Sequence, residues 1–297
     1  METISTSLTY PQSHAESSAT RTLSKPTSVW AVIKATVLKE LRMAKRYALN
    51  LVGEFADVGI RIGFYLLLAE AASFRSPGMF GGELTDHDLF IFFQAGLLLM
   101  VFSGPTLWGP IHAVRSDLFN GTLEFLYSSP GSRYAYYTGT VLAKVLINMA
   151  LFLPVYVGLI VWSGANLVDT VMILLTCVTM LVALMAMGIA FSLLVLVWRQ
   201  ADTLVGVLNL MFEMLTGAYI PVSTFPKVIQ YFTYFLPHTW GYDLIRFYAF
   251  NGTWQTLLPV WQEWIIIVLF AVGFTLASRY LLGKAERLAK RNGLHVI

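Results

Sequence analysis

Residues 170–198 contain no charged side chain, and residues 138–162 contain one, Lys144. Inside a hydrocarbon layer only a helix satisfies its own backbone N–H and C=O groups, and about 20 apolar residues carry it across. Runs of this kind commit the chain to a membrane. Four more stretches qualify: 89–110; 203–222, which holds Glu213; 264–282, with Arg279 near its end; and 49–73, the least apolar, because Glu54, Asp57, Arg61 and Glu70 fall inside it. Composition agrees, since 57% of the chain is hydrophobic and 12% charged, against roughly 25% charged in a soluble domain. The expected fold is all-α and integral to the membrane, with six transmembrane helices.

Orientation follows from Lys and Arg, which accumulate in cytoplasmic loops. Six spans place fourteen of them on one side, including seven before the first span, and leave Arg75, Lys227 and Arg246 on the other. Without the 49–73 span those seven would lie outside. The chain therefore reads as a multi-pass protein of the cell (plasma or inner) membrane with both termini cytoplasmic. The formal charge of +3 is a topology signal, and no basic patch interleaved with aromatics points to nucleic acid. The single cysteine, Cys177, excludes disulfides and cysteine metal sites within one chain. The five histidines are scattered and show no metal-ligand or hydrolase spacing.

Residues 1–28 are rich in Ser and Thr and read as a flexible cytoplasmic tail. Over 29–47, Trp30, Ile33, Val37, Leu41 and Ala44 recur at helical spacing opposite Lys39, Arg42 and Arg46. This predicts a basic amphipathic helix on the cytoplasmic membrane surface, opening at Thr27-Ser28. Such a helix serves equally as a topology anchor on anionic lipid or as a docking surface. The six spans then occupy 48–283, and 284–297 forms a second cytoplasmic tail.

Two interruptions stand out. At 121–130 the chain reads GTLEFLYSSP. On a helical wheel Asp117, Asn120, Gly121, Glu124 and Ser128 collect in one arc, with Leu118, Phe119, Thr122, Leu123, Phe125 and Leu126 filling the rest. A short cytoplasmic helix over 116–130 follows, closed by Pro130-Gly131. The second is 217–250, apolar and aromatic but cut by Pro221, Pro226 and Pro237 into pieces too short to span, as in segments that dip into a leaflet and return.

Taken together, the amphipathic helix, six spans, GTLEFLYSSP after the second span and FLPHTWGYDLIR after the fifth resemble the type 2 permeases of ATP-binding-cassette (ABC) exporters, over roughly residues 29–285. The resemblance implies that 116–130 is a coupling helix seated in a cleft of an ATPase. Its contacts would fall on Asp117, Gly121, Thr122, Leu123, Glu124, Ser129 and Pro130. The first helix would be an interface helix, with Trp30, Lys39, Arg42 and Arg46, and 217–250 extracellular re-entrant helices. It also implies two copies of a cytoplasmic ABC ATPase, a second permease of the same or a homologous chain, and surrounding membrane lipids. The cargo would be a lipid, lipid-linked glycan or drug. The residues before the motif, SDLFN, lack the charged Arg/Glu lead-in of many members. No G-x-x-x-x-G-K-[ST] phosphate loop occurs, so the chain is not expected to be an enzyme or to bind a cofactor, and ATP and Mg belong to the partner.

Charges inside spans are costly, about 2.5–3.5 kcal/mol at the centre on insertion scales, and face protein or water. Glu54, Asp57 and Arg61 share one helix face and can neutralise one another at the cytoplasmic end, or form a polar gate. Glu213 has no opposite charge in its own helix and needs a partner, a water-filled cavity or a proton. Tyr219, Phe225 and Trp240 belong to an aromatic group that either packs the broken segment or contacts substrate. Asp243 and Arg246, at i and i+3, are expected to pair at the outer surface. A self-contained ion-driven carrier or channel built around Glu213 and the Glu54/Asp57/Arg61 group is the alternative, although carriers interrupt helices in both halves and here the Pro-broken segment occurs once.

Overall fold

The computed structural model describes residues 28–71, 85–119, 121, 129, 131–197, 207, 211–212 and 214–292. Among them the architecture is all α, with eight helices: α1 (Val29–Arg46), α2 (Ala48–Ala71), α3 (Asp86–Phe119), α4 (Arg133–Ser163), α5 (Leu167–Val197), α6 (Lys227–Thr233), α7 (Pro237–Ala249) and α8 (Val260–Asn292). Four of these, α3, α4, α5 and α8, are long and apolar enough to cross a membrane. Residues 49–71 of the 49–73 stretch also belong to one continuous helix, α2, although its charges leave it outside that group of four. Of the expected span at 203–222, residues 203–206, 208–210 and Glu213 lie outside the described residues.

Several sequence signals translate directly into ends. Ser132 caps α4, its side chain accepting from the Ala135 N–H at 3.3 Å, and Gly164 closes it in the left-handed conformation at φ 62°. Ser28 occupies the N-cap position of α1 as expected, but its side chain makes no capping bond. Each proline of the broken segment begins an element: Pro221 precedes a short 3-10 turn, Pro226 precedes α6, and Pro237 opens α7. That is the position where a missing N–H costs nothing.

Helix α3 is the centre and the most buried of the four long helices. It packs against α2, α4, α5 and α7; α5 in turn packs on α8 and α7, and α1 lies along α4. A main core cluster runs through α3, α4, α5 and α7, and includes Phe92, Leu98, Phe152, Met180 and Tyr242. A second, formed by Val114, Tyr137, Ile189 and Leu282, ties together the corresponding ends of α3, α4, α5 and α8. By contrast α2 leaves Leu49, Val52, Phe55, Ile60, Phe64 and Leu67 exposed. In hydrocarbon such a face meets lipid or another subunit at no hydrophobic cost.

Close approach is what joins the long helices. At Gly188 of α5 a β-carbon would collide with the Thr106 carbonyl oxygen and crowd Leu107 of α3. At Gly139 of α4 it would lie 2.8 Å from the Thr36 β-carbon of α1. Overpacking of this kind costs about 1–3 kcal/mol, and backbone atoms cannot yield as a side chain would. Gly188→Ala is therefore expected to lower the unfolding temperature of the detergent-solubilised protein by several degrees. Gly273→Ala, where a β-carbon meets nothing within 4 Å, should leave it unchanged, and the pair is read in one thermal melt.

Candidate functional site

The C-terminal end of α3, with the parts of α1 and α4 beside it, forms the first part of the site. A 34-residue helix such as α3 is about 50 Å long, against about 30 Å of hydrocarbon, so α3 reaches well beyond the apolar layer. Its last turn carries Asp117, which accepts a hydrogen bond from the Tyr136 hydroxyl of α4 at 2.9 Å. That hydroxyl accepts in turn from Lys39 Nζ of α1 at 3.2 Å. Lys39 also pairs with Glu40 at 3.3 Å. One phenol thus fastens the amphipathic helix, the start of α4 and the lead-in to the 121–130 segment. Burial works against the Lys39 charge, but Tyr136 and Glu40 outweigh it and hold its pKa above the ordinary lysine value.

The expected polar face of α1 is present. Lys39, Arg42 and Arg46 are all exposed, and the Lys39 ammonium is held by the Tyr136 hydroxyl. Trp30, expected on the buried stripe, is exposed as well, while Ile33, Val37, Leu41 and Ala44 are half-buried. Beyond Asp117 the chain turns at Gly121, with φ 66°, and Ser129 is half-buried. Thr122, Leu123, Glu124 and Pro130 lie outside the described residues.

The second part is a cavity of about 790 Å³ between α2, α3 and α4. Glu54, Asp57 and Arg61 of α2 line it, facing Met100, Trp108 and His112 of α3 and Lys144 and Asn148 of α4. The Arg61 Nε donates to Asp57 Oδ2 at 2.9 Å, and its Nη1 donates to the Tyr219 hydroxyl at 3.3 Å. The expected pairing on one face is present for Asp57 and Arg61. It does not sit at the helix end, however: Arg61 lies midway along α2 and joins Tyr219, near the end of the expected fifth span. A neighbouring cavity of about 180 Å³ shares Glu54, Lys144 and Asn148 and extends to Glu40, Met43 and Tyr47 near the end of α1. Sequence reasoning missed Lys144 as a site residue, although a lone charge within an apolar run was the available signal.

The third part is the broken segment. Of α7, every residue but Phe247 is buried. Trp240 packs on Tyr234 and donates to the Tyr234 carbonyl at 3.0 Å; Tyr219 and Phe225 are half-buried. Asp243 and Arg246 are not surface partners, being 4% and 2% exposed. Asp243 accepts from the Trp254 indole N–H and the Leu257 N–H, both at 2.7 Å. The Arg246 guanidinium lies 3.5 Å above the Phe92 ring and donates to the Ala218 carbonyl at 2.9 Å. Burial is why the expected pairing fails: each ionic group needs several fixed partners in a dry site, and backbone and aromatic groups from neighbouring elements supply them.

Comparison with known families places this geometry. The profile of the ABC-2 type transporter family matches residues 27–250, three-quarters of the chain. No curated protein matches it significantly.

Tyr136 is the test of the network at the end of α3. Tyr136→Phe removes a bond to a carboxylate and one to an ammonium, and bonds to charged groups contribute about 1.5–3 kcal/mol each when sheltered. Hydrogen exchange should quicken across α1 and the first turns of α4, by at least tenfold. Asp117→Asn, which can still accept the phenol proton, should exchange near the wild-type rate.

Proposed function

The chain belongs to the ABC-2 type transporter family, the permease component of type 2 ABC transporters, and on that premise we propose that it is the membrane subunit of an ABC exporter. It works with two copies of a cytoplasmic ABC ATPase and a second permease, the same or a homologous chain. Its cargo is a lipophilic or lipid-linked molecule taken from the cytoplasm or the inner leaflet. Six spans, with α2 the first and 203–222 the fifth, keep both termini on the cytoplasmic side of the cell membrane. ATP and its Mg are held by the partner, and this chain supplies the pathway and the joint.

The observation that carries the reading is the cavity between α2, α3 and α4. Its volume of about 790 Å³ falls within the range of about 300–1,000 Å³ usual for small-molecule sites. Apolar walls and a few charged groups suit an amphiphile, and the adjoining cavity opens the way toward α1. The Lys39–Tyr136–Asp117 network supports the second half of the proposal. A soluble subunit that pushes on 121–130 moves the end of α3, and Asp117 passes that displacement to α4 and α1 through fixed hydrogen bonds. Rigid-body rocking of packed helices is a standard route from such a push to an opened pathway.

Recovery of the ABC ATPase with the tagged permease tests the joint. Wild-type protein should retain the ATPase and stimulate its hydrolysis, and Glu124→Arg should weaken both at least tenfold through the reversed charge on the exposed arc. If binding and stimulation survive that substitution and also the deletion of residues 117–130, the coupling assignment is wrong.

A further inference from the structure

The charges around the larger cavity carry a statement about its ligand. Four ionic side chains line it: Glu54, Asp57, Arg61 and Lys144. Asp57 and Arg61 satisfy one another at 2.9 Å on the α2 wall. That leaves one acid, Glu54 of α2, and one base, Lys144 of α4. Both line the larger cavity and its smaller neighbour, and neither forms an ion pair among the described residues. The Lys144 stem runs beside Gly109 of α3, where an added β-carbon would make an ordinary contact with its Cγ at 3.7 Å.

Resting on the exporter reading above, we infer that this cavity takes a zwitterionic amphiphile, whose head group offers a cation to Glu54 and an anion to Lys144 while its chains follow the apolar wall of α3. An amphiphile with an anionic head alone would place its charge in the same cavity as Glu54 and leave that carboxylate unpaired. One with a cationic head alone would do the same to Lys144. Charges in low dielectric are retained only where they are compensated, and a head group bearing both signs compensates both walls at once. An aminophospholipid has this chemistry.

The test uses full-length protein in detergent micelles, offered spin-labelled phosphatidylethanolamine, phosphatidylglycerol or dodecyltrimethylammonium as separate probes. Wild type should retain phosphatidylethanolamine at least fivefold over either singly charged probe. Lys144→Gln and Glu54→Gln should each lower that retention severalfold, with Glu54→Gln raising phosphatidylglycerol. The exchange Glu54→Lys with Lys144→Glu should restore the preference. Equal retention of phosphatidylethanolamine and phosphatidylglycerol by the wild type, or a preference that neither Gln variant alters, overturns the inference. The ratio between probes on one monodisperse sample is independent of how much protein folds. ATPase recovery from the same preparations separates the two claims: its persistence without lipid preference removes only the ligand class, whereas its loss in the wild type removes the exporter reading.

Discussion

Helices in hydrocarbon gain little by hiding apolar side chains from each other, since the lipid is as apolar as leucine; their association rests on how closely backbones approach. The contact of Gly188 with the backbone at Thr106 and Leu107 is that constraint at the centre of this protein. It brings α5 onto α3, and α5 also carries α7 and α8. Gly139 does the same for α1 on α4. Without those approaches the long helices would be separate spans with no shared interior.

Polar groups then pin what close packing assembles. At the C-terminal end of α3 a single phenol joins three helices through Lys39 and Asp117. In the broken segment Asp243 holds the loop leading to α8, and Glu263 in the first turn of α8 accepts from the Leu258 N–H at 3.0 Å while fully buried. Arg246 holds the turn at Ala218. Midway along α2, Arg61 reaches Tyr219. The contacts of Tyr136 with Lys39, of Arg61 with Tyr219 and of Arg246 with Ala218 link residues distant in sequence, so a displacement in one part of the bundle has defined routes to others.

Much of the architecture was legible before any coordinates. Long helices at 89–110, 138–162, 170–198 and 264–282 follow from apolar runs without alternatives, and the elements starting at Pro221, Pro226 and Pro237 follow from the missing proline N–H. The candidate site was legible only in part. Glu54, Asp57 and Arg61 could be grouped by their spacing on one helix, because i, i+3 and i+4 positions are neighbours whatever surrounds them. Lys144 could not be added to that group, since nothing local says that α4 faces α2 across a gap. The same limit misled the reading of Asp243 and Arg246: their spacing permits a pair, but burial against Trp254, Leu257 and Phe92 gave each a different partner.

The sequence by itself determined that the chain is helical and lies in a membrane, because the hydrogen-bonding demand of the backbone leaves an apolar run no other choice. It determined the family too, through short motifs whose spacing survives outside any fold. Which charges meet, which are spent on structure and which remain facing a cavity was decided only by tertiary packing. Long-range pairings depend on the relative rotation and approach of whole helices, and those were set by a few small residues at crossings that no local pattern marks.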